Sequence, residues 1–118
     1  MKRGFTLVEI MIVVAIIGII LAIAIPGFIR AREVSRGRAC QENLSKIDGA
    51  KENYALDNSV AHNASVGWAD LVGTTLYLKS TPGCPGGGAY TLNNIGTPPV
   101  CSYVEPTWLS TEFQHLAQ

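Results

Sequence analysis

Gly4-Phe5-Thr6-Leu7-Val8-Glu9 opens an apolar run that continues from Ile10 to Ile29. Across the twenty-five residues from Phe5 to Ile29 the only ionisable side chain is Glu9. As a helix rising about 1.5 Å per residue, the stretch would measure roughly 37 Å, longer than a bilayer core of about 30 Å. It reads as a membrane-spanning helix. A carboxylate inside such a span costs a few kcal/mol on insertion scales, less near an end, so Glu9 needs a partner or an interface. One local partner is available: Thr6-Leu7-Val8-Glu9 fits the Ser/Thr-x-x-Glu capping box, in which the carboxylate bonds exposed amides of the first turn.

The same residues resemble the N-terminus of type IV prepilins and pseudopilins: a short basic leader, Met1-Lys2-Arg3, then Gly4, Phe5, and Glu9 four residues beyond Phe5. The resemblance covers residues 1–30 closely and the following helix loosely. It implies that a membrane peptidase cuts between Gly4 and Phe5, that the new Phe5 amine is methylated, and that mature subunits pack their helices into a filament. Cleavage would leave a positive amine at a helix N-terminus, where the macrodipole disfavours cations, and a neighbouring subunit's Glu9 would neutralise it.

A secretory signal peptide is the rival reading, because Ala22-Ile23-Ala24 has the small-x-small form of a cleavage site. The run before it exceeds the usual h-region of about 7 to 15 residues, and Glu9 interrupts it. Lys2 and Arg3 favour a cytoplasmic N-terminus, but Arg30, Arg32, Arg36 and Arg38 follow the span. The N-in orientation, with the ectodomain outside, is therefore what the resemblance implies. The expected location is the bacterial inner membrane as a precursor, then a surface pilus or a periplasmic pseudopilus.

Within the span, Gly18 and Ala22 form a small-xxx-small pair with Ala15 one turn before, permitting close approach of another helix. Pro26 lacks an amide donor and restricts Ile25, and Gly27 adds a second weak point. A kink or a locally unwound segment is expected around Ala22 to Gly27. The four arginines make a basic collar opposed only by Glu33, suited to lipid head groups or solvent. From Ala39 the pattern becomes amphipathic: Cys40, Leu44, Ile47, Ala50 and Tyr54 share one helical face, with Gln41, Glu42, Lys46, Asp48, Lys51 and Glu52 largely elsewhere. The helix should run to about Leu56, with Asp57-Asn58-Ser59 as its stop.

Beyond it, Trp68 to Val72 reads as a short helical turn and Thr75 to Lys79 as a strand. Gly87 to Asn94 and Pro98 to Glu105 read as an antiparallel hairpin around Ile95-Gly96-Thr97. Simple pairing puts Cys101 opposite Tyr90, and Tyr90, Leu92, Pro99, Cys101 and Tyr103 on one face. Trp108, Leu109 and Phe113 would tack the tail onto this layer.

Cys40, Cys84 and Cys101 lie in the part placed outside the cytoplasm, where disulfides form. Their odd number allows at most one internal bond. Cys84 with Cys101 closes the shortest loop and would add about 3 kcal/mol in the chain-entropy account, although the hairpin register separates them; pairing of Cys40 with either stays open. The Cys-Pro-Gly-Gly-Gly-x-Tyr…Cys-Ser pattern also resembles short-ectodomain pilin-like proteins. A zinc site would need a fourth ligand from His62 or His115 and lacks a Cys-x-x-Cys pair, so no metal is expected. Gly86-Gly87-Gly88 lacks the Lys and Ser/Thr of a phosphate loop. No Ser-His-acid set or carboxylate pair stands out, so neither an enzyme nor a cofactor is expected.

The whole chain balances nine Lys and Arg against nine Asp and Glu; loss of Lys2 and Arg3 leaves seven against nine, which does not suggest a nucleic-acid partner. The calcium loop typical of major type II secretion pseudopilins is missing its acidic ligands: after Asp70 the chain has only Glu105 and Glu112. The expected architecture is α+β and lollipop-like: leader 1–4, transmembrane and filament-core helix 5–29, its ectodomain half 30–57, and a β-rich head 58–118 packed as a small antiparallel sheet. The expected function is structural, as a subunit polymerising with itself into a type IV pilus or related type II secretion pseudopilus. Its other partners would be the prepilin peptidase and the assembly machinery of the membrane. The alternative is a low-copy tip pilin that captures DNA or surfaces.

Overall fold

The computed structural model describes residues 1, 4–104 and 106–107. Lys2, Arg3, Glu105 and the tail with Trp108, Leu109 and Phe113 lie outside the described residues. The long apolar run and the amphipathic stretch behind it form one helix, α1 (Leu7–Asp57). Its 51 residues correspond to roughly 77 Å. The chain divides into two compact units, Met1–Arg32 and Glu33–Gln118.

In the first unit every described residue is exposed, the aliphatic side chains from Leu7 to Ile29 included. Among the described residues α1 is the one helix long and apolar enough to cross a membrane. Soluble monomers rarely expose contiguous apolar surface beyond a few hundred Å², so this helix belongs in lipid or against other helices. Helical structure continues through Pro26 and Gly27. Of the kink or unwinding expected around Ala22 to Gly27, the unwound form is corrected, since proline removes a single rung of the ladder and the turns on either side keep theirs; a kink at Pro26 is compatible with a continuous helix.

In the second unit α1 buries Cys40, Leu44, Ile47 and Ala50, the stripe read from the sequence, with Tyr54 partly covered. Leu71, Tyr90 and Leu92 complete the core. Asn58 and Ser59 end the helix as expected, Asn58 through its amide and side chain to the Tyr54 carbonyl at 3.1 and 3.0 Å, and Ser59 through a positive φ of 50°. The helical turn at Trp68 is α2 (Trp68–Leu71), where Asp70 accepts a 2.9 Å bond from the Gly67 amide.

The hairpin has the expected register but shorter strands. β1 (Tyr90–Thr91) pairs antiparallel with β2 (Val100–Cys101), Tyr90 facing Cys101. The ladder stops there because Asn93 turns to a φ of 56° and Pro98 and Pro99 have no amide hydrogens to donate. Tyr90, Leu92 and Pro99 are buried, whereas Thr91 and Val100 point outward. No strand forms at Thr75 to Lys79. Instead Val72 and Leu78 make an isolated parallel bridge and the residues between them turn back, Leu76 bonding the Gly73 carbonyl. Tyr77 leaves the sheet direction for a better contact, its ring edge-on to Tyr54 and its hydroxyl 2.9 Å from Asp57 Oδ2.

Lys51 also departs from the sequence reading, since it is 1% exposed rather than on the solvated side. Its ammonium donates to the carbonyls of Leu92 at 2.8 Å and Thr97 at 2.5 Å, with Asp48 Oδ1 at 3.7 Å. Burial lowers its pKa, and Asp48 acts in the opposite sense. The long stem crosses the core and ties α1 to both ends of the hairpin loop. Lys51→Met keeps the stem but strips two carbonyls of their donor. We expect a loss of about 1–3 kcal/mol, read as a fall of the near-UV circular dichroism midpoint by roughly 5 °C or more in detergent. An unchanged midpoint would remove Lys51 as a tie.

Candidate functional site

The chain enters α1 through three non-helical residues, Gly4, Phe5 and Thr6. Gly4 is open on all sides, nothing lying within 4 Å of a Cβ built on it, and Phe5 is 80% exposed. The Gly4-Phe5 peptide is therefore non-helical and accessible, as a peptidase substrate must be. Thr6 and Glu9 form the reciprocal capping box. The Glu9 amide donates to Thr6 Oγ1 at 3.2 Å and the Thr6 amide to Glu9 Oε2 at 3.5 Å. Both lengths are at or beyond the long end of the hydrogen-bond range, so the box is weak and holds the carboxylate loosely at an exposed position. Gly18 and Ala22 are likewise exposed, and space around Gly18 is clear to 4 Å.

The collar is less available than its composition suggests. Arg36 is held by Glu33 at 2.8 Å, and Tyr103 donates to the other Glu33 oxygen at 3.3 Å. Arg30 and Arg38 also have partners.

The three cysteines, far apart in sequence, meet. Cys40 comes from α1, Cys84 from the turn before the glycines and Cys101 from β2, and their sulfurs lie within 4.8 Å of one another. None is in a disulfide. Cys40 is buried as expected, and burial pushes its thiol up to about 12 against a donor, the Tyr90 hydroxyl at 3.5 Å. Burial also raises Cys84, but hydrogen bonds from the Gly88 and Gly86 amides and the adjoining thiols outweigh it and bring it below its ordinary value. Cys101 is raised, chiefly by burial, with the Tyr103 amide opposing. Gly88 makes the approach possible: a Cβ there would lie 2.7 Å from the Tyr103 amide nitrogen and 2.8 Å from Cys101 Sγ.

Residues 1–25 match the family profile described as the prokaryotic N-terminal methylation motif. The competence protein ComGC of Halalkalibacterium halodurans is 33% identical over 93 residues, which is 79% of this chain and 86% of that protein. Type II secretion system core protein G of Escherichia coli K12 is 31% identical over 107 residues, 80% of this chain and 74% of that protein. The chain belongs to the type IV pilin and pseudopilin family. The type IV major pilin protein PilA of Myxococcus xanthus is 50% identical over 53 residues, 45% of this chain and 24% of that protein. No solved structure matches.

Like the pilins and pseudopilins it resembles, this chain is a structural subunit. The similarity to core protein G holds although this chain has few of the C-terminal acidic residues expected of a calcium loop. What sequence reasoning missed was the meeting of all three cysteines. The signal was there in part: Cys40 sits on the apolar stripe, and three glycines follow Cys84 where a tight fold-back is required. We expect Gly88→Ala to destabilise the second unit by about 1–3 kcal/mol through overpacking, and Gly83→Ala, with nothing within 4 Å, to be nearly neutral. Thermal melts of the two variants side by side check this, and equal melts would contradict the close approach.

Proposed function

We propose that the chain is inserted with its N-terminus in the cytoplasm and cut by a prepilin peptidase between Gly4 and Phe5. Its Phe5 amine is then methylated, and the mature subunit polymerises with itself through residues 5–29. The observation that carries this reading is the exposed apolar surface of residues 7–29 of α1, with an open Gly4-Phe5 peptide before it and one carboxylate, Glu9, beside it. In lipid the precursor is stored. In the filament the same surface is covered by neighbouring helices, and Gly18 and Ala22 offer the space for close packing. An intact-mass spectrum of the membrane-extracted protein should give a chain that starts at Phe5 and carries a methyl group. A start at Ile25 would instead identify a signal peptide.

Glu9 has two successive tasks in this account. It caps its own helix in the precursor, and in the filament its charge meets the Phe5 amine of a neighbour. Glu9→Gln separates them, because Gln serves the capping box as well as Glu does. A buried amine that loses its counter-ion costs about 3–5 kcal/mol, repeated at every subunit. The Glu9→Gln protein should therefore be inserted and processed normally yet yield few filaments, with recovery when wild-type subunits are co-expressed. Wild-type filament yield from the variant alone would leave capping as the whole role of Glu9.

A further inference from the structure

We propose that Cys40, Cys84 and Cys101 form a three-sulfur site for a soft, thiophilic metal ion, monovalent copper in preference to zinc. The three sulfurs come from three separate elements and already lie within 4.8 Å of one another. Three sulfurs bonded to one ion at about 2.3 Å sit about 4.0 Å apart when trigonal, so closing on an ion requires movements of less than about 1 Å. Each sulfur also receives a hydrogen-bond donor: Cys40 the Tyr90 hydroxyl, Cys84 the Gly86 and Gly88 amides, and Cys101 the Tyr103 amide. Donors of this kind orient metal-bound thiolates and offset their charge, as outer-shell bonds do at metal centres generally. A Cys84–Cys101 disulfide, the ordinary fate of neighbouring thiols outside the cytoplasm, is the competing state: it would take two of the three sulfurs and exclude the ion.

The number of ligands selects the ion. Structural zinc almost always takes four protein ligands, and among the described residues no His or carboxylate joins the three sulfurs. Thiolate-only sites suit monovalent copper, which has no such need for a fourth ligand. His62, the described histidine, stands instead against Gly96. Access is open, since Cys84 and Cys101 are half-exposed while Cys40 forms the buried floor. Binding involves no change of oxidation state: three S–H bonds break, their protons pass to solvent, and three sulfur–copper bonds form. The ion would staple α1 to the hairpin and to the Pro-Gly turn at once.

The test uses the full-length chain, purified in detergent with reductant and without oxygen, and titrated with monovalent copper against a chromophoric chelator. One copper per chain is expected, with three sulfur neighbours by X-ray absorption and a higher melting midpoint on binding. Cys84→Ser and Cys101→Ser, both at half-exposed positions, should each weaken binding on the order of 100-fold or more, beyond what loss of an outer-shell partner does. Copper uptake unchanged in these variants would overturn the proposal, as would zinc held in preference to copper. So would a Cys84–Cys101 disulfide throughout the protein recovered from cells, found by non-reducing peptide mapping.

Discussion

Among the described residues, nothing covers the surface of aliphatic side chains running from Leu7 to Ile29, and that exposed surface is the constraint on which the subunit's behaviour depends. Full burial of one Ile, Leu or Val side chain contributes about 1.5–3 kcal/mol, and this stretch consists largely of such residues. The free energy at stake far exceeds what a small domain has as its entire net stability, about 5–15 kcal/mol. The subunit therefore always has its first helix in an apolar environment. Lipid and a bundle of like helices are the two that a pilin-family subunit encounters, and passing from one to the other exchanges one apolar surround for a second. Because lipid tails are as apolar as the side chains, the hydrophobic effect contributes little to that exchange. In the assembly proposed above, close packing at Ala15, Gly18 and Ala22 and the charge of Glu9 would decide it.

The second unit meets the opposite problem, a core that is small for the length of chain it must order. Among the described residues, seven buried side chains from Cys40 to Leu92 form it. Specific ties supplement them. Lys51 holds two carbonyls of the hairpin loop, and the Asn63 and Ile95 amides bond the Ile95 and Ala64 carbonyls at 2.9 and 3.0 Å, clamping the loop after α1 to the hairpin tip. Tyr77 and Asp57 close the space beside the end of α1. Such bonds contribute about 1 kcal/mol each, but every one joins segments distant in sequence, where apolar area is scarce.

How much of this could be read from residues alone follows from how local each cause is. The long apolar helix, the stripe from Cys40 to Tyr54, the helix stop at Asn58 and the Tyr90–Cys101 register all follow from period or from turn chemistry within a few residues, and the structure has them. Thr75 to Lys79 misled because β propensity describes a half-buried pleated surface, and Tyr77 found its partners on α1 instead. Lys51 misled because a lysine at a helix flank is ordinarily solvated; its burial depends on carbonyls more than forty positions away. Pro26 suggested unwinding from local sterics, yet a single lost bond does not undo a 51-residue helix. The cysteines were paired by loop length, or set aside as a zinc site short of a ligand, whereas their geometry is set by three elements together. Glu9 was legible as a box with Thr6, because that pattern lies within one turn.

The central claim is that one apolar surface serves the subunit twice, in lipid and then in the filament. A single nitroxide at Val13, in an otherwise unaltered chain, can be followed by power-saturation electron paramagnetic resonance with oxygen and with a water-soluble paramagnet. The account predicts that in membrane vesicles the label is reached by oxygen and shielded from the aqueous agent, and that in sheared filaments it is shielded from both. A label reached by the aqueous agent in vesicles or in filaments would mean that this surface is not buried there, and would contradict the account.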